Sequence, residues 1–391
     1  MGALIARSQP PPRRHPPLAL GPGRRLRVGY VSPDLHMHSV AYFLEPVLAA
    51  HDKAAVETVC YHCGTLRDAT TARLRAAAGL WRDAAPLDDE QLAARILDDR
   101  IDILVDLAGH TRDNRLAVFQ RKPAPIQATW IGYPNTTGLD TIDYRITNAI
   151  ADPPGEADML HSERLVRLPR GFLCYRPPDD APDPAPRPCT QGKKGGIAFG
   201  SFNNLSKLAP GVLDTWARIL NRLPGASLVM KASGLGSDAA RRRILDHFMR
   251  HGVDARRVEL LATTPRRREH LEHYGRVDVA LDSFPYNGTT TTCEALWMGV
   301  PVIALAGDRH AARVGASLLH RVGLDDLIAG NVDAYVELAC ALAADPVRVA
   351  WLSAGLRQRM RTSPLCDAPA FARDLEAAYA RMAQSAADTS V

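Results

Sequence analysis

The chain has 391 residues, of which 46% are hydrophobic and 23% are charged, and its formal net charge is +5. These values are typical of a soluble globular protein with room for two domains. The mild positive charge suits an anionic ligand but is too weak to indicate nucleic-acid binding, and no apolar run is long enough to span a membrane. The seven cysteines are odd in number and widely spaced, and no signal peptide is recognisable, so we expect reduced thiols in a cytoplasmic protein.

The first half of the chain has the pattern of an α/β domain. Residues 1–24 are rich in proline and arginine without apolar periodicity, which predicts a disordered leader. Apolar runs then alternate with helical patterns, as in a parallel sheet covered by helices. Helices are predicted after the LHMHS turn and near Asp88, and strands at 26–32, 56–61, 101–107, 126–131 and 144–147. Together they predict a Rossmann-like N-terminal domain at residues 25–175.

A proline-rich segment, residues 176–196, predicts a linker, and the same rhythm resumes after it. Strands are predicted at 197–202, 227–231, 258–261, 277–281 and 302–306, with helices at 210–223, 238–250, 293–298 and 311–322. The tail from Val332 is expected to form three helical segments broken at Pro346 and Pro364. We therefore predict a C-terminal domain at 197–391 and an α/β fold of two doubly wound domains facing across a cleft.

The segment from Val277 to Gly299 joins a short apolar strand, a Pro-Tyr-Asn-Gly turn and a helix that begins among four threonines, Thr289 to Thr292. A glycine turn and a helix start at the carboxyl edge of a sheet offer unpaired backbone N–H groups and a positive dipole end. This arrangement predicts an anion site, most naturally for phosphate. The alternative is that the threonines only cap the helix, for which one would suffice.

This segment, NGTTTTCEALWMGVPV, resembles the donor-binding segment of the O-linked N-acetylglucosamine transferase family, which is glycosyltransferase family 41, in its SPINDLY-like form. LRVGYVSPDLHMHS, PAPIQATWIGYPNTTGLDTIDYRI and FGSFNNLSKLAP resemble further segments of the family in the same order. The resemblance implies the two-domain GT-B architecture. It also implies an inverting transfer of N-acetylglucosamine from UDP-GlcNAc to serine or threonine hydroxyls of a protein or peptide. Neither a cofactor nor a metal is expected, and neither nucleic acid nor a membrane is an expected partner.

The resemblance assigns catalytic roles to two residues. Lys207 matches the lysine that neutralises the leaving diphosphate, a task that many enzymes give to a metal ion. His38 matches a histidine beside sugar and acceptor, where it could accept the proton of the attacking hydroxyl or only orient the sugar. Asp106 is a second candidate for proton handling. The residues implied to bind the donor are Asn204, Arg267, His270, Tyr286, Thr289, Thr290, Thr291 and Glu294.

Several alternatives stay open. A related enzyme could transfer fucose or glucose, and a silent nucleotide-sugar-binding module is possible. The sequence SGLGSDA has the spacing of a dinucleotide fingerprint, as in an NAD-dependent oxidoreductase, but it follows the second strand of its domain rather than the first. Cys60 and Cys63 form a lone CxxC without the second pair that a zinc site needs, and no metal-ligand spacing is recognised elsewhere.

The last expectation concerns the acceptor. Relatives that modify proteins usually carry tetratricopeptide repeats, with a period of about 34 residues, ahead of the catalytic part. No such period occurs in these 391 residues. We therefore expect this chain to hydrolyse its donor or modify short peptides slowly, with little discrimination among intact proteins.

Overall fold

The computed structural model describes residues 11–16, 18, 21, 23–190 and 196–388. The chain divides into two compact units, residues 1–176 together with 364–391, and residues 177–363. Each unit is built around one parallel β-sheet. None of the helices in the described ranges combines the length and the apolar character needed to cross a membrane.

The first unit is built on seven strands. They are β1 (Leu26–Ser32), β2 (Val56–His62), β3 (Leu80–Asp83), β4 (Ile103–Asp106), β5 (Ile126–Thr129), β6 (Tyr144–Thr147) and β7 (Arg164–Arg167). The helices between them are α1 (Ser39–Ala50), α2 (Ala69–Ala77), α3 (Asp89–Asp98), α4 (Leu116–Gln120) and α5 (Glu156–Met159). The sheet order is β3-β2-β1-β4-β5-β6-β7, so the direction of winding reverses between β1 and β4. The carboxyl ends of these two strands flank the position where α/β sheets usually bind ligands.

The second unit is built on six strands. They are β8 (Ala198–Ser201), β9 (Ser227–Lys231), β10 (Val258–Leu261), β11 (Val279–Leu281), β12 (Val302–Leu305) and β13 (Ile328–Ala329). Its helices are α6 (Pro210–Arg222), α7 (Asp238–Arg250), α8 (Arg267–Glu272), α9 (Thr290–Trp297), α10 (Val314–Arg321), α11 (Val332–Ala344) and α12 (Pro346–Arg361). The order β10-β9-β8-β11-β12-β13 reverses between β8 and β11. The loops that follow these two strands therefore meet at the switch point of this sheet.

The last helix, α13 (Ala368–Asp388), packs on the first unit, which corrects the prediction that residues 197–391 form one domain. Phe371 and Tyr379 belong to the apolar core of β1, β2 and α1. The Tyr379 hydroxyl lies 3.1 Å from that of Tyr30, and the Phe371 ring stacks on Trp130 at 5.9 Å. Breaks at Pro346 and Pro364 separate the three tail helices as predicted.

The predicted linker is not a free spacer over its described part. Arg187 is 2% exposed, and its guanidinium donates to the carbonyl oxygens of Tyr274 at 3.1 Å and Val277 at 2.7 Å. The Cys189 amide donates to Asp278 at 2.9 Å. These hydrogen bonds hold residues 177–190 on the second unit, and they also satisfy the buried guanidinium of Arg187. Residues 191–195 lie outside the described part.

The predicted leader also differs from expectation where it is described. The Arg13 amide donates to the Arg121 carbonyl oxygen at 3.1 Å, and the His15 ring lies 2.7 Å from the Lys122 carbonyl oxygen. Residues 1–10 lie outside the described part of the chain.

Candidate functional site

Most of the predicted site residues of the second unit lie in the two loops at its switch point or in α9, which follows the second of these loops. Lys207 is in a 3-10 turn, Leu205–Lys207, that follows β8. Tyr286, Gly288 and Thr289 follow β11 and lead into α9. The fold therefore brings these loops together at the carboxyl ends of adjacent strands.

Lys207 is held as a partly desolvated cation. Its ammonium donates to the carbonyl oxygen of Asn287 at 2.7 Å and lies 4.0 Å from the ring centroid of Tyr286. Burial lowers the pKa of Lys207 to about 8, and the neighbouring carboxylate of Asp282 opposes this shift. An ammonium in such a setting gains more from an anionic ligand than a solvated one would.

Asp282, which was not among the predicted site residues, organises the loop between β11 and α9. It is 3% exposed, and its Oδ1 accepts hydrogen bonds from Asn203 at 3.0 Å, Ser283 N at 2.9 Å and Gly288 N at 2.7 Å. Burial raises the pKa of Asp282 to about 6, while these donors and Lys207 oppose the shift. The residue thus fixes the glycine turn and provides the nearby negative charge for Lys207. In the sequence, the feature that could have identified Asp282 is its position after a buried strand and before a glycine turn.

The two adjacent asparagines after β8 have different surroundings. Asn203 is 5% exposed, donates to Asp282, and accepts a hydrogen bond from the Thr291 hydroxyl at 2.7 Å. Asn204, the predicted phosphate contact, is exposed, and its side chain accepts from Ser206 N at 3.0 Å. Asn204 therefore caps the turn that carries Lys207, whereas Asn203 joins that loop to the start of α9.

The start of α9 is not explained by threonine capping. Thr289 is the N-cap residue, yet its side chain makes no capping hydrogen bond. Among the described residues, the buried Thr290 Oγ has no hydrogen-bond partner, and the Thr291 hydroxyl is used by Asn203. The first N–H groups of a helix have no partner within it. The arrangement suits an anion at the helix start better than the capping alternative.

Gly288 is required by the close packing of this turn. A Cβ atom there would lie 2.5 Å from Thr291 Oγ and 2.8 Å from Asn203 Oδ1. Both distances are shorter than real Cβ contacts, so a larger residue would displace the hydrogen bond that joins the two loops. Glycine also allows a ligand to approach the backbone closely.

Glu294 lies one turn into α9 and is surrounded by basic groups. It is 5% exposed, its Oε2 lies 3.1 Å from His270 Nε2, and its Oε1 lies 3.7 Å from the Arg267 guanidinium. The Lys231 ammonium donates to His270 Nδ1 at 2.9 Å, so the ring carries its proton on Nε2 and donates it to Glu294. Burial lowers the pKa of Lys231, and Glu294 opposes that shift.

Arg267 and His270 therefore lie beside Glu294, whereas the adjacent Arg266 and Arg268 do not. The side chain of Arg267 is 19% exposed, whereas those of Arg266 and Arg268 are 82% and 53% exposed. Sequence reasoning did not find Lys231, which ends β9. A lysine at the end of a buried strand was the only signal for it.

In the first unit, His38 follows β1 and is the N-cap residue of α1. Its Nδ1 accepts a hydrogen bond from Val40 N at 3.3 Å and lies 3.7 Å from the Asp34 carboxylate. Burial lowers the pKa of His38, and Asp34 opposes this shift. Since Nδ1 is an acceptor here, the neutral ring carries its proton on Nε2. His38 therefore presents a hydrogen-bond donor at Nε2.

Asp106, the second candidate for proton handling, is occupied by its own loop. Its carboxylate accepts from Ala108 N at 3.1 Å, Gly109 N at 2.8 Å and the Thr129 hydroxyl at 2.8 Å. It is 1% exposed, and burial raises its pKa. This geometry makes Asp106 a residue that shapes the loop after β4.

Two sequence motifs have structural explanations. Cys60 and Cys63 belong to different apolar cores, so they do not form a metal-binding or redox pair. SGLGSDA forms a 3-10 turn, Ser233–Gly236, after β9. Because the sheet reverses between β8 and β11, this turn is not at the position of a dinucleotide fingerprint.

Comparison with known proteins identifies relatives of this chain. The sequence model of Glycosyl transferase family 41 matches residues 5–176 and 190–375. A tomato protein, Solanum lycopersicum SPINDLY, named a probable UDP-N-acetylglucosamine-peptide N-acetylglucosaminyltransferase, is 47% identical over 365 residues, which are 92% of this chain and 39% of that protein. The Arabidopsis thaliana protein SEC, which is also named a probable UDP-N-acetylglucosamine-peptide N-acetylglucosaminyltransferase, is 32% identical over 385 residues. These are 95% of this chain and 39% of SEC. This chain therefore spans about two fifths of the length of these relatives.

A solved structure extends the comparison to the fold. A mutant O-GlcNAc transferase of Thermobaculum terrenum superposes with a TM-score of 0.92 and 44% sequence identity, over 97% of this chain and 72% of that one. The two doubly wound α/β units confirm the predicted Rossmann-like fold class, known as GT-B. The family match covers most of both units. The chain belongs to glycosyl transferase family 41.

Proposed function

We propose that this chain is an inverting glycosyltransferase that moves N-acetylglucosamine from UDP-GlcNAc to a serine or threonine hydroxyl of a protein or peptide. The observation that carries the proposal is the convergence of Lys207, the Gly288 turn and the start of α9 at the switch point of the second sheet. This is the chemistry expected for a diphosphate. The names of the tomato and Arabidopsis proteins support the choice of sugar and of a peptide acceptor, and the name of the Thermobaculum protein supports the sugar and its O-linkage.

In the proposed reaction, the acceptor oxygen attacks C1 of the sugar on the side opposite the diphosphate. The bond between C1 and the phosphate oxygen breaks, its electron pair stays on the β-phosphate of UDP, and the hydroxyl proton leaves to a base. The Lys207 ammonium and the N–H groups at the start of α9 would stabilise the negative charge that develops. Because both are already in place, we propose that no metal ion is needed for this step.

We propose that His38 orients the sugar or the acceptor and is not the base. The hydrogen bond from Val40 N to Nδ1 favours the tautomer with its proton on Nε2. A ring of this kind donates a hydrogen bond and has no lone pair on Nε2 with which to take a proton. The tautomer thus favours one of the two roles that the sequence left open.

For the uridine we propose binding between His270, Arg267 and Glu294. The hydrogen bonds that His270 accepts from Lys231 and donates to Glu294 fix the orientation of its ring. A ring held in this way is suitable for stacking on a base. Glu294 is an acceptor for ribose hydroxyl groups. Tyr286 would cover Lys207, whose ammonium it contacts.

The His270→Ala variant should bind the donor more weakly. Stacking of a base on an aromatic ring contributes about 1–3 kcal/mol, so the donor KM should rise by roughly tenfold or more while kcat changes little. Steady-state kinetics of UDP release would measure this. The control is His320→Ala, which removes an exposed histidine paired with Asp325. A lower kcat at unchanged KM would contradict the proposed stacking.

A donor screen tests the function directly. Purified chain is incubated with UDP-GlcNAc, UDP-glucose, GDP-fucose and a serine- or threonine-containing peptide, and released diphosphate and modified peptide are measured. UDP-GlcNAc should give the fastest release. Preference for GDP-fucose or UDP-glucose would replace the proposed sugar, and binding of a donor without turnover would indicate a silent binding module.

Turnover should survive removal of divalent ions. Lys207 and the helix start supply the positive charge that a metal would otherwise provide. Activity measured with EDTA present should therefore stay within about twofold of the untreated rate, a change that corresponds to less than 1 kcal/mol in the barrier. If EDTA stops the reaction and magnesium or manganese restores it, the charge assignment is wrong.

We also propose that the chain works in a reducing, cytoplasmic compartment. Its seven cysteines are free thiols, and burial raises the pKa of Cys60, Cys63 and Cys174 to about 12. Thiols of this kind form little thiolate and suit reducing surroundings.

A further inference from the structure

Two neighbouring helices of the second unit bring two histidines and a carboxylate together away from the proposed donor site. Asp214 is in α6, His247 is in the last turn of α7, and His251 is the C-cap residue that directly follows α7. Their ligand atoms all lie within 4.8 Å of one another. His247 Nε2 is 2.8 Å and His251 Nε2 is 3.2 Å from the same oxygen, Asp214 Oδ1.

The two histidines are arranged as a pair on one face of the helix. They are four residues apart, which places them one above the other, and their ring centroids are 4.6 Å apart with an interplanar angle of 23°. The spacing of four residues between the two histidines is visible in the sequence, but the third member, Asp214, comes from a different helix, so no local pattern predicts the complete group.

The tautomer of His251 indicates what the group can bind. Its Nδ1 lies 2.8 Å from the carbonyl oxygen of His247. A carbonyl oxygen only accepts, so Nδ1 carries the proton and the neutral ring has a lone pair on Nε2. That lone pair faces the carboxylate of Asp214, an unfavourable contact unless a cation lies between them. A hydrogen bond from the second ring nitrogen to a carbonyl oxygen is also the usual support of a metal-binding histidine.

A divalent metal ion relieves this contact and can be held by all three groups at once. An added proton on His251, with His247 as its Nε2–H tautomer, would also let both rings donate to Asp214, but it would place a positive charge on one of two stacked rings. For zinc bonds of about 2.0–2.1 Å in a tetrahedral site, the ligand atoms should be about 3.3 Å apart. The His251 nitrogen is 3.2 Å from Asp214 Oδ1, which matches this separation, whereas the His247 nitrogen, at 2.8 Å, would have to move outward by about 0.5 Å to bind the metal. The site is also at the C-terminal end of α7, where the helix dipole favours a positive charge.

We propose that Asp214, His247 and His251 form a zinc-binding site that links α6 to α7. Two imidazole nitrogens and one carboxylate oxygen are typical ligands of Zn²⁺. The exposed position of Asp214 and His251 leaves room for water as a fourth ligand. Bound zinc stabilises the second unit, because it joins two helices only in the folded state. The site shares no residue with the proposed donor site, so this proposal does not depend on the proposed function.

The test is a titration of metal-free protein with ZnCl₂ by isothermal calorimetry, together with thermal unfolding at the same zinc concentrations. We compare the unmodified chain with His247→Ala, His251→Ala and Asp214→Asn, and use His320→Ala as the control, because His320 is an exposed histidine that pairs with Asp325. All four changes are at partly or fully exposed side chains. Circular dichroism shows whether each variant is folded.

We expect the unmodified chain and His320→Ala to bind one equivalent of Zn²⁺ with micromolar affinity or better, and to unfold at a higher temperature when zinc is present. Each histidine variant should bind at least about tenfold more weakly and lose the thermal shift. Magnesium should not compete, because it prefers oxygen ligands. Equal zinc affinity in the histidine variants, or binding only at millimolar zinc in the unmodified chain, would overturn the proposal.

Discussion

Replacing Lys207 with alanine is expected to lower kcat by about a hundredfold or more, the scale seen when a preorganised electrostatic group is removed from an active site. The ammonium lies beside the Gly288 turn and near the start of α9, and in the proposed reaction the charge of the leaving diphosphate develops there. Part of its interaction would form only as the bond to the sugar breaks. The donor KM should therefore change less than kcat.

The control for this variant is Lys122→Ala in the first unit. Lys122 has a side chain that is 14% exposed, and it forms an ion pair with Asp143 at 2.6 Å. Its loss should lower thermal stability while leaving kcat unchanged in folded protein. If Lys207→Ala keeps a normal kcat and only binds the donor more weakly, Lys207 is an anchor for the donor and does not stabilise the leaving group.

The residues that sequence alone could find are those whose pattern is local. The apolar runs of β1, β6 and β9 are largely buried, and the predicted bounds of these strands and of β10 agree closely with the structure. The edge strands β3 and β7 were missed, since LWRD and RLVR are only partly buried and lack an apolar run. The bound of the second domain was placed too late, at residue 391, because the amphipathic pattern of α13 does not itself specify which core the helix covers.

The same distinction holds for the site. The start of α9 is visible in the sequence as a threonine-rich helix start. Lys207 was singled out through the family resemblance, because a lysine after a strand is by itself typical of a solvated surface residue. The sequence did not reveal Asp282, Asn203 or Lys231, because their roles arise from contacts between distant segments. Asn203 and Asp282, which are hydrogen-bonded, are about 80 residues apart in the chain. Likewise, the tautomer of His38 depends on the backbone of α1, and residue type alone cannot reveal it.

The second large effect is expected from Asp282, whose charge supports the protonated form of Lys207. In the unmodified chain the pKa of Lys207 is about 8, so donor binding and kcat/KM should fall as the pH rises above about 8 and the cation is lost. Asp282→Asn keeps an oxygen that can accept from Asn203, Ser283 and Gly288, but it removes the negative charge. The pKa of Lys207 should then fall further, and the alkaline limb of kcat/KM should move to lower pH by about one unit or more.

The same variant has a predictable effect on stability. Because the pKa of Asp282 in the folded chain is raised to about 6 from 3.8, the folded state holds this proton more tightly than the unfolded state. Asp282 therefore destabilises the chain progressively as the pH rises from about 4 to 6. Asp282→Asn should remove this part of the pH dependence. Asp282→Ala should instead lower the free energy of unfolding by about 3–5 kcal/mol, because it leaves three buried donors without an acceptor and removes the negative charge that offsets the desolvation of Lys207.

Asp278→Asn separates the effect on Lys207 from a general effect of losing a buried carboxylate. Asp278 is fully buried in the same unit and accepts hydrogen bonds from Cys189 N at 2.9 Å and Ala198 N at 2.8 Å, but it is not among the charges that shift the pKa of Lys207. Profiles of kcat/KM between pH 6 and about 10, recorded at donor concentrations well below KM, should show the alkaline limb displaced in Asp282→Asn and unchanged in Asp278→Asn. An equal displacement in both variants, or none in either, would mean that a group other than Lys207 sets the alkaline limb, and the electrostatic link between Lys207 and Asp282 would then have no part in donor binding.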